Sequence, residues 1–242
     1  MYKRQKKELY AYNPQKDRAS KIVSYLGNII VNGHNDVSGR VSNNSTVEVQ
    51  IPISNTKSEK NNYVKDLQTL GPEKFAKKIK ETPYTLITDT TMRDAHQSLL
   101  ATRMRTDDLI NIAEYYSENL SNLFSLECWG GATFDTSMRF LKEDPWDRLA
   151  RLNKRAPNLL KQMLFRGSNA VGYKNYPDNV VKHFIQQSAE AGIDVFRVFD
   201  SLNLIDNMRV AIDEVRNQNK ICEGTICLSL IHISEPTRQK PI

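Results

Sequence analysis

From residue 86 onward, the apolar residues fall into short runs that alternate with longer amphipathic stretches. Short, nearly all-apolar runs are typical of strands that are covered on both faces. The stretches between them carry apolar residues at helical spacing over a dozen residues or more, which predicts helices. The predicted strands are residues 86–88, 123–128, 162–165, 195–199 and 225–228. Strands that alternate with helices predict an α/β fold with a parallel sheet.

Each of the four intervening helices begins with a start signal. Acidic and hydroxyl side chains satisfy the free N–H groups of a first helical turn, and proline fits its first position. The predicted starts are Thr106 with Asp107 and Asp108, Asp144 with Pro145, Pro177 with Asp178, and Asn203 with Asp206. Five strands with four helices are too few for a closed (β/α)8 barrel. The pattern therefore predicts a partial TIM (β/α)8 barrel of about five strands.

A helical and linker segment precedes the predicted barrel. Apolar residues at helical spacing predict a first helix over residues 17–26. Residues 32–62 are rich in Asn, Ser, Gly and Lys, which predicts a linker with one short strand near residues 47–51. A further helix is predicted to open at Gly71 and Pro72. The side chains that it is expected to bury are Phe75, Ala76 and Ile79.

Composition and charge argue for a buried core and against a nucleic-acid partner. An apolar content of 39% in 242 residues is enough for a buried core in one or two domains. The net charge of +6 falls to +3 without residues 1–5 and 229–242, so half of the basic excess lies at the ends. Aromatic residues do not alternate with basic ones as they do on a stacking platform for single strands. We therefore predict no nucleic-acid partner.

The cysteines and apolar runs bear on the compartment. The 3 cysteines, Cys128, Cys222 and Cys227, form no CxxC pair, which argues against a disulfide framework and against a zinc ribbon. No apolar run is long enough to cross a bilayer, and no apolar signal core follows the basic start of the chain. These features predict a cytoplasmic protein that does not contact membranes.

Polar side chains are concentrated directly after the first predicted strand, in "DTTMRDAHQSL" at residues 89–99. In barrel enzymes the loops that follow the strands form the site, and Arg166 follows the third predicted strand. Two arginines, Arg93 and Arg166, suit a small carboxylate, which planar guanidinium groups hold in a bidentate manner. Gln97 can offer an amide to the same ligand, and Asp94 can bind a divalent metal.

Structural interpretations of the same residues remain open. An arginine beside an aspartate at a strand end often forms only a salt bridge that fixes a loop. His96 alone is more typical of a hydrogen-bonded loop histidine, and Asp94 alone makes no zinc site because zinc takes four ligands. Glu127 and Asp200 are expected to orient their neighbours. Gly130-Gly131 matches neither a dinucleotide fingerprint nor a P-loop, and is assigned a structural role.

Taken together, four stretches resemble the carboxyltransferase domain of the pyruvate carboxylases. The resemblance covers residues from about 8 to 228. It includes two earlier stretches, "DRASKIVSYLGNIIVNG" and "LGPEKFAKKI", which are similar to the segment that joins the biotin carboxylase half of that family to its barrel. The four stretches are "LITDTTMRDAHQSLLATRMRT", "LFSLECWGGATFDTSMRFLKEDPWDRL", "LFRGSNAVGYKNYPDNVV" and "GIDVFRVFDSLN".

The resemblance implies carboxyl transfer from carboxybiotin to pyruvate, which gives oxaloacetate. It implies catalytic roles for Arg93, Gln97 and Arg166, which would hold pyruvate and its enolate, and Asp94 would be one ligand of a divalent metal, Zn or Mn. The family's other metal ligands are a carboxylated lysine and two histidines of a His-x-His pair, and a threonine shuttles the proton. The implied substrate-binding set comprises Arg93, Asp94, Ala95, His96, Gln97 and Arg166.

The resemblance also implies partners. Biotin would be carried on a separate carrier domain, and ATP and bicarbonate would be used by the biotin carboxylase domain. The family forms homo-oligomers, tetramers at full length. Oxaloacetate decarboxylase alpha subunits and transcarboxylase subunits share the "RDAHQSLLATR" loop, but their barrels lie near the chain start. A non-catalytic module that binds a keto acid is a further alternative.

The expected organisation follows from the same resemblance. Residues 6–82 are expected to be the linking segment, and residues 83–228 the N-terminal part of the carboxyltransferase barrel. Residues 1–5 and 229–242 depart from the family and are interpreted as non-native sequence. The 242-residue chain is therefore expected to be an incomplete fragment without carboxylation activity.

Overall fold

The computed structural model describes residues 18–32 and 62–228. The chain divides into two units, residues 1–53 and 54–242. The described part of the first unit is helix α1 (Arg18–Asn32), which confirms the helix predicted over residues 17–26. The strand predicted near residues 47–51 lies outside the described residues, as do residues 1–5 and 229–242.

The second unit contains a parallel sheet of five strands in sequential order. Each strand pairs with the next along the chain, and every pairing is parallel. Right-handed crossovers between sequential neighbours place all the connecting helices on one face, as in a barrel wall. This confirms the α/β class and the partial TIM (β/α)8 barrel. The strands are β1 (Thr88–Asp89), β2 (Ser125–Trp129), β3 (Leu160–Phe165), β4 (Val195–Val198) and β5 (Ile221–Gly224).

Helices precede and connect these strands. Two π-helical turns, Thr91–Ala95 and Ser137–Leu141, and one 3-10 turn, Gly167–Asn169, lie in the loops after β1, β2 and β3. None of the helices within the described ranges has the length and apolar character needed to cross a membrane. The α-helices of the second unit are α2 (Tyr63–Glu81), α3 (His96–Leu100), α4 (Thr106–Asn119), α5 (Gly131–Thr136), α6 (Pro145–Arg155), α7 (Asp178–Glu190) and α8 (Ile205–Asn217).

Most of the predicted helix starts agree with the structure. Asp144 caps α6 by accepting a hydrogen bond from the backbone N–H of Trp146 at 2.8 Å. Helix α7 begins at Asp178 after Pro177, as predicted, and α4 begins at Thr106 with Arg105 in the cap position. The start predicted at Asn203 is wrong by two residues, because α8 begins at Ile205.

The fifth strand was predicted four residues too late. The structure places β5 at Ile221–Gly224, and residues 225–228 lie beyond it. The backbone N–H and C=O of Cys227 bond to the side chain of Asn203, at 2.8 and 2.9 Å. Residues 225–228 are therefore not a strand, and their backbone is hydrogen-bonded to Asn203 in the loop before α8. The first strand is also shorter than expected, since only Thr88–Asp89 is paired.

The main core lies between the sheet and its helices. Trp129 is fully buried, and its ring packs against Phe134 and Trp146 with centroids 4.6 and 4.8 Å away. A register shift between Glu127 and Trp129 interrupts the alternation of β2. This shift places Trp129 in the helix-side core although Glu127 lies on the other face. The indole N–H donates to the carbonyl of Pro145 at 3.1 Å.

Helix α2 covers the other face of the sheet near the start of the strands. Its Phe75 is fully buried with Leu160 and Val195 in a second apolar cluster. Gly71 has φ +72 and interrupts the helix immediately before Pro72, so the predicted opening at this pair is confirmed as a restart within α2. Ile79 is half-buried in this cluster. The predicted burial of Ala76 is wrong, because it faces solvent.

Candidate active site

The inner face of the sheet is the face that α2 covers near the strand starts, and it changes from apolar to polar along the strands. Side chains two residues apart on a strand share a face. On β3, Leu160 packs against α2, and Gln162 continues the same face. On β4, Val195 packs against α2, and Arg197 continues it. Moving toward the strand ends, the apolar floor therefore gives way to a polar layer.

The polar layer is a continuous hydrogen-bonded network across four strands. Ser125 of β2 donates to Gln162 Oε1 of β3 at 2.5 Å, and Gln162 Nε2 donates to Glu223 of β5 at 2.9 Å. Arg197 of β4 donates from Nε to Glu223 at 2.9 Å and from Nη1 to Glu127 of β2 at 2.8 Å. A buried polar network that is fully paired fixes its members in one arrangement. The inner face thus offers a rigid base for the loops above it.

Arg93 is held on this base by Glu127. The π-helical turn after β1 places the Arg93 side chain, which is 8% exposed, next to Glu127, which is fully buried. Nε and Nη2 of Arg93 both contact Glu127 Oε1, and Nη1 donates to Asp94 Oδ1 at 3.0 Å. A guanidinium has five N–H groups. These contacts use three of them, and within the described residues one N–H on each terminal nitrogen stays available.

Asp94 offers one carboxylate oxygen to a ligand. Its side chain is half-exposed, and Arg93 engages Oδ1. Within the residues that the structure describes, no three His, Cys, Asp or Glu side chains come together as metal ligands. A divalent metal takes four or more ligands. Asp94 alone does not make a metal site, and any further ligands would have to come from outside the described residues.

The remaining members of the "RDAHQ" loop have different surroundings. His96 is buried, and its Nε2 lies 2.9 Å from the carbonyl oxygen of Met92. Burial lowers the pKa of His96, so the ring is neutral at physiological pH and donates to that carbonyl. Gln97 is half-buried, and its amide makes no hydrogen bond to any described residue. Ala95 ends the π-helical turn and is half-buried.

Arg166 carries a charge that no carboxylate in the described part of the chain neutralises. It follows β3 and is half-buried, with Nη1 donating to the carbonyl of Gly172 at 3.1 Å. Its guanidinium carbon lies 5.0 Å from the ring centroid of Tyr173, within the range of a cation–π contact. An arginine held by a carbonyl and a ring keeps its full attraction for an anion.

Gly130 and Gly131 each lie beside one of the two arginines. A Cβ atom at Gly130 would lie 3.4 Å from Cδ of Arg93, and one at Gly131 would lie 2.7 Å from Nη1 of Arg166. Two consecutive residues after β2 thus touch both arginines. The interpretation of this pair as structural was incomplete, because it missed that the absent side chains make room for Arg93 and Arg166. The sequence signal for this role was the position of the pair directly after a strand.

The expected orienting residues are in place. Asp200 accepts from the backbone N–H groups of Leu204 and Leu202 at 3.0 and 2.9 Å, and from Asn207 at 3.1 Å. The bond from Leu204, with those from Asn207 and Leu202, lowers the pKa of Asp200. Glu127 likewise orients Arg93. Sequence reasoning missed Gln162, Arg197 and Glu223, although each was a polar residue inside or beside an apolar run.

Cysteine chemistry is disfavoured at two of the thiols. Burial raises the pKa of Cys128 to about 12 and that of Cys222 to about 11. Both groups are therefore protonated at neutral pH, whereas the thiolate is the nucleophile. The cationic groups near the ends of β1 and β3, Arg93 and Arg166, are instead of the kind that can hold a small carboxylate.

The comparisons with known proteins agree with this geometry. No protein-family model matches the chain. Pyruvate carboxylase of Staphylococcus aureus is 52% identical over 221 residues, which cover 91% of this chain and 19% of that protein. This chain belongs to the pyruvate carboxylase family. The family resemblance predicted from the sequence is thereby confirmed, and the chain spans about a fifth of the length of the curated relatives it matches.

Solved structures of pyruvate carboxylase narrow the match to one domain. The carboxyl transferase domain from Rhizobium etli pyruvate carboxylase with pyruvate is 54% identical, with a TM-score of 0.72 over 88% of this chain and 36% of that one. The same domain with oxamate and biotin is 53% identical, with a TM-score of 0.73 over 91% of this chain and 37% of that one. The similarity therefore extends to the fold of the pyruvate carboxylase barrel.

Proposed function

We propose that this chain forms the keto-acid-binding part of a biotin-dependent carboxyltransferase, which moves a carboxyl group from carboxybiotin to pyruvate and gives oxaloacetate. The observation that carries the proposal is that Arg93 and Arg166 lie beside the consecutive glycines Gly130 and Gly131. No carboxylate among the described residues neutralises Arg166. The Rhizobium etli domain with pyruvate, and the same domain with oxamate and biotin, support this choice of ligands.

The proposed site residues have two roles, which are to bind pyruvate and to stabilise the enolate that forms from it. The guanidinium of Arg166, together with the free N–H groups of Arg93, binds the pyruvate carboxylate, and the unpaired amide of Gln97 donates to the keto oxygen. The N–carboxyl bond of carboxybiotin breaks, and the biotin nitrogen takes up a methyl proton of pyruvate through the threonine that the resemblance implies. The methylene carbon of the resulting enolate then bonds to the released carboxyl carbon. Negative charge grows on the enolate oxygen during this step. Preorganised cations beside it lower the barrier, because they need no reorganisation.

A divalent metal, Zn or Mn, is part of the proposal. When bound, such an ion acts as a Lewis acid that stabilises oxygen anions. Asp94 would supply one ligand through its unengaged oxygen. The resemblance assigns the other ligands, and the proton-shuttling threonine, to positions outside the described residues.

The wider assembly is proposed on the family alone. A biotin carrier domain would deliver carboxybiotin, and a biotin carboxylase domain would use ATP and bicarbonate to make it. We also propose a homotetramer at full length and a cytoplasmic location. The three free cysteines, Cys128, Cys222 and Cys227, suit a reducing compartment.

Arg166→Ala in the full-length protein tests the proposal. Losing one charge-assisted contact to a developing enolate is expected to lower kcat/KM for pyruvate about a hundredfold, or about 3 kcal/mol. Arg166→Lys is expected to restore little, because an ammonium cannot reproduce a planar fork. Arg209→Ala is the matched control, since this arginine of α8 is exposed and, among the described residues, forms an ion pair only with Asp206.

Oxaloacetate formation from pyruvate, bicarbonate and ATP is the readout. Biotin-dependent ATP cleavage should persist in Arg166→Ala, because the biotin carboxylase domain is untouched. Normal carboxylation by Arg166→Ala would show that the substrate role is wrong. Binding of pyruvate by the unsubstituted full-length protein without any carboxylation would favour a non-catalytic module.

A further inference from the structure

We infer that Glu127 is a positioning residue for carboxyl transfer, which acts by fixing the guanidinium of Arg93 in one orientation relative to the keto acid. The inference rests on the proposed function and adds to it a residue that does not touch substrate. Glu127 lies on the inner face of β2, and Arg93 lies in the loop above it. The contact joins residues 34 positions apart in the chain.

The contact restrains both the position and the rotation of Arg93. Two donors of the guanidinium, Nε and Nη2, converge on Glu127 Oε1. Asp94 holds the third nitrogen, Nη1, at 3.0 Å. A planar group with contacts on all three nitrogens cannot rotate about its long axis without breaking at least one of them. The two N–H groups that remain are therefore presented in one fixed direction.

Glu127 is itself held in place from the opposite side. Its second oxygen, Oε2, accepts from Nη1 of Arg197 at 2.8 Å. Arg197 in turn donates from Nε to Glu223 at 2.9 Å. The carboxylate is fully buried and bonded through both oxygens. Because both of its oxygens are bonded, the carboxylate stays in one position and holds the Arg93 guanidinium there.

Stability alone gives no strong reason for this arrangement. Burying a carboxylate and two guanidinium groups has a large desolvation cost, and well-packed apolar residues often replace such groups with no loss of stability. The inner face already has an apolar cluster at Leu160, Val195 and Phe75 that could extend upward. A charged layer directly beneath Arg93 suits the placement of a substrate-binding cation.

Glu127→Asp in the full-length protein tests the position of the carboxylate while its charge is kept. The substitution keeps the negative charge but withdraws the carboxylate by one C–C bond, about 1.5 Å. Displacement of a substrate-holding group by about 1 Å is expected to lower kcat/KM for pyruvate on the order of a hundredfold. The affinity for oxamate, an unreactive pyruvate analogue, should fall as well. Glu127→Gln keeps the shape, removes the charge and should show a loss of the same order.

Glu214→Gln is the matched control for removing a buried carboxylate. Glu214 lies on α8, is 4% exposed and accepts from the amides of Gln186 and Gln218 at 2.9 and 2.8 Å. It has no contact with either arginine of the site. Its substitution is expected to change thermal stability and to leave kcat/KM for pyruvate within about twofold. Glu214 shares no hydrogen-bond partner with the proposed site, and such sites are energetically independent.

A double-mutant cycle with Arg93→Ala decides whether Glu127 acts through Arg93. Residues that act as one unit give non-additive effects. Once Arg93 is alanine, Glu127→Asp should therefore lower kcat/KM by less than about threefold further. A full, additive loss in that background would overturn the inference, and so would normal turnover by Glu127→Asp. Loss of fold in Glu127→Asp while Glu214→Gln folds would assign Glu127 to stability alone and also overturn it.

The same cycle distinguishes this inference from the proposed function. If Arg93→Ala itself carboxylates pyruvate normally, the substrate role of Arg93 is wrong and the proposed function loses its support. If Arg93→Ala is impaired and Glu127→Asp is normal, the proposed function stands and only the positioning role of Glu127 fails.

Discussion

Gly131 and Arg166 are so close that a Cβ atom at residue 131 would lie 2.7 Å from Nη1 of the arginine. The same atom would lie 2.7 Å from the backbone carbonyl oxygen of Val171. Real side chains do not tolerate such distances, so either the arginine or the loop that carries it would have to move. The space left by this glycine is thus part of the proposed binding site.

Gly131→Ala is expected to displace Arg166 and to lower kcat/KM for pyruvate in the full-length protein. A displacement of about 1 Å can reduce rate on the order of a hundredfold. Gly130→Ala is the matched comparison, since its Cβ would lie 3.4 Å from the flexible Arg93 side chain and should be tolerated better. Steady-state kinetics on both variants test this. Equal activity of the two would contradict the crowding argument.

Asp94→Asn is expected to lower bound divalent metal in the full-length protein together with activity. An amide oxygen is a weaker ligand than a carboxylate, and we expect affinity for the metal to fall on the order of a hundredfold. Metal analysis after dialysis measures this directly. Asp206→Asn, at an exposed residue of α8, is the control, and Arg166→Ala should retain its metal. Full metal content in Asp94→Asn would remove Asp94 from the ligand set.

Glu143 ties the start of α4 to the loop before α6 in a pH-dependent way. Its Oε2 accepts from the backbone N–H and the hydroxyl of Thr106, at 2.9 and 2.6 Å, and from Arg148 at 3.0 Å. Desolvation acts to raise the pKa of Glu143, but the bonds from Thr106 and Arg148 outweigh it and hold the pKa below its ordinary value. The stabilisation is therefore complete above the ordinary pKa of 4.5 and is lost as pH falls through the lower folded value.

Glu143→Gln should accordingly weaken the start of α4 at pH 7 by about 2 kcal/mol, the typical worth of hydrogen bonds to a charged group. Hydrogen exchange in the first turn of α4 measures the local opening. The difference from the unsubstituted protein should disappear once pH is below the folded pKa of Glu143. Glu114→Gln, which removes an exposed ion pair with Arg155, should have little effect at any pH.

Phe75→Ala is expected to destabilise the cover that α2 forms over the inner face. Phe75 is fully buried between Tyr63 and Phe124, with ring centroids 6.4 and 6.3 Å away. Truncating a buried Phe costs about 3–5 kcal/mol. Urea denaturation of the full-length protein checks this, with Lys77→Ala on the exposed face of α2 as the control. A change of less than about 1 kcal/mol would mean that α2 contributes little to the core.

Strands and helices could be predicted where burial alone decides them. Most residues of strands β2, β3 and β4 are apolar, and Asp144 with Pro145 is a strong helix start. Strand β5 was misplaced because Glu223 breaks its apolar pattern. The Glu223 side chain is 40% exposed and pairs with Arg197 on the neighbouring strand. A one-dimensional pattern cannot show that a charge inside a strand is paired on the next strand.

The candidate site was predictable only in part for the same reason. Arg93, Asp94 and Gln97 are close in sequence, and Arg166 was found because it ends a recognisable strand. Their assigned roles stay predictions. The support beneath them was not predictable, because Glu127 and Arg197 are 70 residues apart and Gln162 and Glu223 are 61 apart.

The shared carboxylate of Glu127 also constrains how sequences related to this chain can diverge. Replacing Arg197 alone would leave one oxygen of a buried carboxylate unpaired, and replacing Glu127 alone would leave two guanidinium groups facing each other. Either intermediate is worse than both the original pair and a fully altered pair. Among homologues, the residues at 127 and 197 should therefore change together or not at all. Substitutions at either position should be rarer than at other positions that are equally buried.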